Sequence, residues 1–114
     1  MSDILVEEAT GERRLAVVKP RGRLDMQTAT GLRQELSGLV ARGHVRIVLD
    51  LDGVGFVDSS GLGAIISGLK AARQTGGDLR IARPNEQVRL VLQLTTLDRV
   101  LRPYASVEEA SDGL

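Results

Sequence analysis

Residues 45–70 read VRIVLDLDGVGFVDSSGLGAIISGLK, and this stretch decides the fold class. Val45, Ile47, Leu49 and Leu51 alternate with Arg46, Val48 and Asp50, a period-two pattern strengthened by β-branched residues that predicts a buried or half-buried strand. Asp52 and Gly53 break the pattern, and a short glycine-containing connection leads to Asp58, Ser59 and Ser60. Leu62, Ile65, Ile66 and Leu69 then recur at helical spacing, giving one apolar stripe on an α-helix. Asp58 stands at the N-cap position, where its carboxylate can accept from the free amides of the first turn. Ser59 and Ser60 fall in that first turn with their hydroxyls near the surface, and this is the candidate functional site. Asp and Ser also occupy helix starts for capping alone, so the local pattern leaves both readings open. Gly61 and Gly63 are less expected, because glycine inside a helix costs about 1 kcal/mol against alanine. Two of them imply a close approach to the backbone, by a packed strand or by a partner.

On the N-terminal side, Ile4–Glu8 and Leu15–Pro20 read as strands of a hairpin with a turn at Thr10, Gly11 and Glu12. Pro20 and Gly22 end the second strand. Asp25 is the expected N-cap of a helix carrying Ala29, Leu32, Leu36, Leu39 and Val40, which Gly43 closes. On the C-terminal side, Gly76 and Gly77 end the central helix, and Asp78–Ala82 is a strand stopped by Pro84. Asn85 caps a helix with Val88, Val91 and Leu92, Val100 and Leu101 predict a short final strand, and Ser106 with Glu109 makes a capping box. The residues after it, through Leu114, are expected to fray. The order β-β-α-β-α-β-α-β-α describes one α/β domain over residues 1–114 with an ordered core of about 4–110. It predicts a mostly parallel sheet of four to five strands, right-handed crossovers, an antiparallel edge hairpin at the N-terminus and about four helices.

A chain of 114 residues holds one core, and its formal charge balances to zero. Its arginines are scattered among acids, and with one Tyr, one Phe and no Trp there is no stacking platform, which argues against nucleic-acid binding. Cysteine is absent, which excludes disulfides, thiolate metal sites and a cysteine nucleophile. No apolar run approaches a membrane span, and Met1, Ser2 and Asp3 do not begin a signal peptide, so no membrane insertion and a cytoplasmic location are expected.

Enzyme chemistry finds no foothold. A serine hydrolase needs G-x-S-x-G and a histidine oriented by a carboxylate, but Ser59 and Ser60 follow Val57 and Asp58, and the single histidine, His44, sits at a helix-to-strand turn. Gly53 and Gly55 lack a third glycine three residues on, where Asp58 would repel a pyrophosphate. One histidine and scattered carboxylates give no metal-ligand pattern, and the acidic pair and late lysine of a phospho-aspartate receiver are missing. No cofactor is expected. What remains is a binding module with paired serines at an exposed helix start.

The segment LDLDGVGFVDSSGLGAI resembles the signature of STAS domains, and specifically of anti-sigma factor antagonists. In that family a strand leads into D-S-S-G-L-G at a helix start, as Asp58, Ser59, Ser60, Gly61, Leu62 and Gly63 do here. G-x-L-D after the second strand is present as Gly22, Arg23, Leu24 and Asp25. The order of elements agrees over nearly the whole chain. The resemblance implies that the main helices pack largely on one face of the sheet, and that the protein works by partner switching. The unmodified form would bind an anti-sigma factor, a serine kinase with an ATPase fold, and free the sigma factor. Phosphorylation of Ser59 would end that binding, and a PP2C-type phosphatase would restore it. Partner contacts would come from Asp25 and residues 58–63, and the ATP and metal ions would belong to the partners. The alternatives are a non-switching STAS subunit of a stressosome-like assembly or of a lipid or anion transporter, and, ranked last, a small-molecule sensor.

Overall fold

Strand β4 (Arg46–Asp50) is the middle of the molecule in the computed structural model, which describes residues 4–8 and 15–114. It pairs in parallel with β2 (Leu15–Pro20) on one side and with β6 (Asp78–Ala82) on the other. β1 (Ile4–Glu8) closes one edge antiparallel to β2, and the two-residue β7 (Pro103–Tyr104) closes the other, parallel to β6. The expected hairpin and parallel sheet are therefore present, in the order β1-β2-β4-β6-β7. The hairpin turn itself lies outside the described residues.

Alternation along the strands sorts the side chains onto two faces. Ile47 and Leu49 join Ala16, Val18, Leu79 and Ile81 in the main core, beneath α1 (Ala29–Ala41), α2 (Ser59–Gln74) and α3 (Glu86–Leu94). Val48 and Ala82 point the other way and are covered with Ala110 of the short α4 (Val107–Ser111). Both faces of β4 are thus buried. On α2, Leu62, Ile65 and Leu69 are buried as the stripe predicts, while Ile66 is only partly covered. α1 and α2 lie close together because residue 68 is glycine: a Cβ there would stand 3.2 Å from Leu36 Cβ. Gly43 and Gly76 take φ of +88° and +86° just beyond α1 and α2, the left-handed turn that stops each helix. The expected caps of the last two helices are made, Asn85 Oδ1 accepting from Val88 N–H at 2.9 Å and Ser106 Oγ from Glu109 N–H at 3.0 Å.

Three local expectations are corrected. The stretch read as a connection after Gly53 contains a strand, β5 (Val54–Val57), parallel to β3 (Gly22–Leu24) in a separate two-stranded sheet. The final strand is not Val100 and Leu101. Those residues follow a 3-10 turn at Leu97–Arg99, and pairing of Ile81 with Pro103 places β7 later. A proline is accepted there because β7 is an edge strand. Finally, α1 begins at Ala29 with Thr28 in the cap position, so Asp25 lies a full turn ahead of the helix it was expected to cap.

Asp50 is the buried charge of the core. Arg83 grips it with two hydrogen bonds, Nε to Oδ1 at 3.1 Å and Nη2 to Oδ2 at 2.7 Å, from a backbone held at φ +55°. Burial raises the Asp50 carboxyl pKa, but the bonds from Arg83 and the Asp52 amide and the charges of Arg83 and Lys19 outweigh it. The pKa therefore lies below the ordinary 3.8. Truncation of Ile65 or Leu69 to alanine should cost about 2–5 kcal/mol in urea denaturation, because each leaves a cavity in the main core. Arg83→Ala should lower stability at neutral pH, because it leaves the buried Asp50 carboxylate without its two side-chain donors. Since the folded pKa of Asp50 is depressed, the pair's stabilisation is present above about pH 3.8 and is lost as pH falls through the lower folded value. Denaturation curves of wild type and Arg83→Ala should therefore converge in acid.

Candidate functional site

Asp58 stands between β5 and α2 as the cap residue, with φ −110° and ψ −172°. Its Oδ1 accepts from Ser60 N–H at 2.9 Å and from Gly61 N–H at 3.1 Å, filling two of the amides that a helix start leaves open. Its own N–H donates to the Leu24 carbonyl at 3.1 Å, and its carbonyl accepts from Leu62 N–H at 2.9 Å. The residue is therefore held from both sides as a cap. Ser59, the first residue of the helix, is exposed, and Ser60 is half-buried.

The two glycines have different explanations. A Cβ on Gly61 would sit 2.8 Å from Leu24 Cβ and nearer still to the Leu24 carbonyl, so the packed strand end excludes any side chain there. Gly63 is exposed, and a Cβ on it would meet only Arg33 Nη2, at an ordinary 3.7 Å. Internal packing requires Gly61 to be glycine and does not require it of Gly63. Leu62 turns inward and is 6% exposed, within the main core.

Asp25 belongs to the same end of the molecule, since it follows Leu24, whose carbonyl binds Asp58. It organises a turn instead of a helix: Oδ1 accepts from Gln27 N–H at 3.0 Å, and its N–H donates to Thr28 Oγ1 at 3.0 Å. Thr28 Oγ1 in turn donates to the Arg23 carbonyl at 2.7 Å. Desolvation raises the Asp25 carboxyl pKa, but the bonds from the Gln27 amide, Arg23 and the Thr28 amide, with the Arg23 charge, bring it below the ordinary value. Arg23 also lies 4.1 Å over the Phe56 ring, its cross-strand neighbour, tying β3 to β5. His44 precedes β4, at the opposite end of that strand from the motif.

Two neighbours escaped the sequence reading. Arg33 projects from the exposed side of α1 to Gly63, and Met26 is 78% exposed beside Asp25. A lone exposed arginine or methionine carries no periodicity, so only the packing of α1 against α2 brings Arg33 into view. Alanine substitutions separate the two glycines. Gly61→Ala should destabilise the fold by about 2–3 kcal/mol or more through the clash with Leu24, whereas Gly63→Ala should stabilise it by about 0.5–1 kcal/mol. Asp58→Ala should cost about 1 kcal/mol as a lost cap. Chemical denaturation of the three variants checks all of these.

The STAS domain family model matches residues 7–110. The anti-sigma F factor antagonist of Paenibacillus polymyxa is 31% identical over 98 residues, covering 85% of this chain and 84% of its own. The anti-sigma factor antagonist SpoIIAA in its unphosphorylated form is 26% identical, with a TM-score of 0.81 over 96% of this chain and 94% of that one. The phosphorylated form of SpoIIAA, a Bacillus cell fate determinant, is 25% identical, with a TM-score of 0.74 over 96% and 97% of the two chains. With the family match running from β1 into α4 and the D-S-S-G-L-G segment sitting at the start of α2, this chain belongs to the STAS domain family.

Proposed function

We propose that this protein is an anti-sigma factor antagonist that works by partner switching, with Ser59 as the switch. The observation that carries the reading is an exposed Ser59 at the first position of a helix whose start is locked by Asp58. The names of the relatives support the general role, and SpoIIAA is known in both phosphorylated and unphosphorylated forms. In the unmodified state the chain binds an anti-sigma factor serine kinase through the surface around Asp25, Asp58, Ser59, Ser60 and Gly63, while Gly61 and Leu62 set its shape from beneath. Binding frees the sigma factor. The kinase transfers a phosphoryl group to Ser59, the complex separates, and a PP2C-type phosphatase resets it. ATP and metal ions are the partners' equipment. The STAS domain of residues 1–114 carries this role. None of the described helices is long and apolar enough to cross a membrane.

The physics of release lies in the interface. A phosphoryl group adds about 1.5 to 2 negative charges. The positive end of the α2 dipole favours an anion by about 0.3–1 kcal/mol at an exposed position, and the carboxylates of Asp58 and Asp25 oppose it by a similar amount. The fold then changes little while the local potential changes greatly. A partner surface fitted to a neutral hydroxyl meets a bulky dianion without matched donors, and affinity falls. Ser60 is the poorer acceptor because it is half-buried, whereas Ser59 is exposed.

Incubation with the copurifying kinase and ATP, followed by phosphopeptide mapping, should place the phosphate on Ser59. Ser59→Ala should bind the kinase and resist release, and Ser59→Asp should bind about ten- to a hundredfold more weakly. Phosphate mainly on Ser60, or a Ser59→Asp protein that binds like wild type, overturns the reading. Asp25→Asn should keep the fold and weaken binding, and unchanged binding and phosphorylation would remove Asp25 from the surface.

A further inference from the structure

Among the described residues β5 has a strand partner on one side only. Its inner edge faces β3, and the sheet order gives it no neighbour on the outer edge. The peptide groups along that outer edge are taken instead by two side-chain amides from the beginning of α3. Gln87 Oε1 accepts from Val57 N–H at 3.0 Å, and Gln87 Nε2 donates to the Val57 carbonyl at 3.1 Å. Asn85 Nδ2 donates to the Gly55 carbonyl at 3.1 Å and the Val54 carbonyl at 3.4 Å, while its Oδ1 caps α3. A primary amide that closes both backbone groups of one residue does what a neighbouring strand would do.

One of these bonds falls on the peptide unit that leads into the cap. The Val57 carbonyl and the Asp58 N–H belong to the same planar peptide. Gln87 holds its oxygen at 3.1 Å and the Leu24 carbonyl holds its N–H at 3.1 Å, from opposite sides. The plane cannot turn without breaking both bonds, and its orientation sets the direction in which Asp58 and then Ser59 leave the strand. Edge protection alone would explain a side chain anywhere along β5. It does not explain why both polar atoms of the Gln87 amide converge on the residue before the cap.

We infer that Gln87 is a positioning residue for Ser59, acting through the Val57–Asp58 peptide, and that α3 is thereby mechanically joined to the switch. The functional half of this inference rests on the partner-switching reading above. Loss of the clamp leaves Asp58 bonded to its two helix amides but lets the whole helix start tilt about the Leu24 bond. A displacement of the reacting hydroxyl by a fraction of an ångström slows transfer without removing the surface that the partner binds.

The test uses the full chain with Gln87→Met, which keeps the packing and removes both bonds, and Gln87→Glu, which keeps an acceptor for Val57 N–H and loses the donor. Amide hydrogen exchange, urea denaturation and phosphorylation kinetics with the cognate kinase are measured together. In Gln87→Met, exchange at the Val57 and Asp58 amides should rise about tenfold, exchange in α1 should stay unchanged, and kcat for Ser59 should fall about tenfold with KM within about twofold. Gln87→Glu should share the fall in kcat. Unchanged exchange at Val57 and Asp58, an unchanged kcat, or faster exchange spread evenly over the chain with a lowered urea midpoint would each overturn the inference. Should wild-type Ser59 accept no phosphate at all, it is the switch reading that fails, and the exchange arm still decides whether Gln87 holds the helix start.

Discussion

The carbonyl of Leu24 is where the fold and the site become one object. It accepts the Asp58 amide, and Gly61 presses against it so closely that no side chain fits between them. β3 ends there, β5 ends beside it, and α2 begins on top of it. Asp25 is the next residue in the chain, so the turn that it organises is placed beside the helix start by the same contact. Without that contact the two acidic residues and the two serines would belong to unrelated loops. With it they form one surface at the C-terminal end of the strands, the end at which open α/β sheets carry their binding sites.

The opposite face of the main sheet works under a different constraint. Among the described helices the short α4 alone covers it, so a charged side chain at the end of β4 is not fully surrounded by apolar groups. Asp50 stays ionised there because Arg83 reaches back with two bonds, and Arg83 can reach back because its own backbone adopts a left-handed conformation. A non-glycine residue held that way costs about 1 kcal/mol or more in backbone strain, which the paired charges offset. Pairing across a thin layer thus supplies stability that a second full helical layer would supply elsewhere. It also makes this face of the sheet sensitive to acid.

A helix start is well suited to a charge-based signal because its free amides tolerate an anion and its residues are anchored by the cap instead of by their own side chains. Ser59 illustrates this separation: the cap acts through Asp58, Ser60 and Gly61, and the outward serine bears none of the structural bonds at the junction. A modification at that position can alter recognition while leaving the helix intact. The arrangement of support beneath and chemistry above extends to α3, whose Asn85 and Gln87 hold the far edge of β5.

Local chemistry in the sequence determined a large part of this. Alternation in residues 45–51, the apolar stripe of α2, and the caps Asp58, Asn85 and Ser106 are each decided by neighbours in the chain, and they were readable without coordinates. The D-S-S-G-L-G segment also marked the candidate site. Tertiary structure alone decided what depends on distant pairing. β5 is too short and too glycine-rich to show a period, and it exists because β3 and the α3 amides bind its two edges. β7 starts at Pro103 because β6 sets its register, and Asp25 serves a turn because Arg23 and Thr28 hold it there. The burial of Asp50, the approach of Arg33 to Gly63 and the clamp of Gln87 on Val57 are meetings of residues about 30 positions apart. Propensity and periodicity act over a few residues, so contacts of that range leave no local mark.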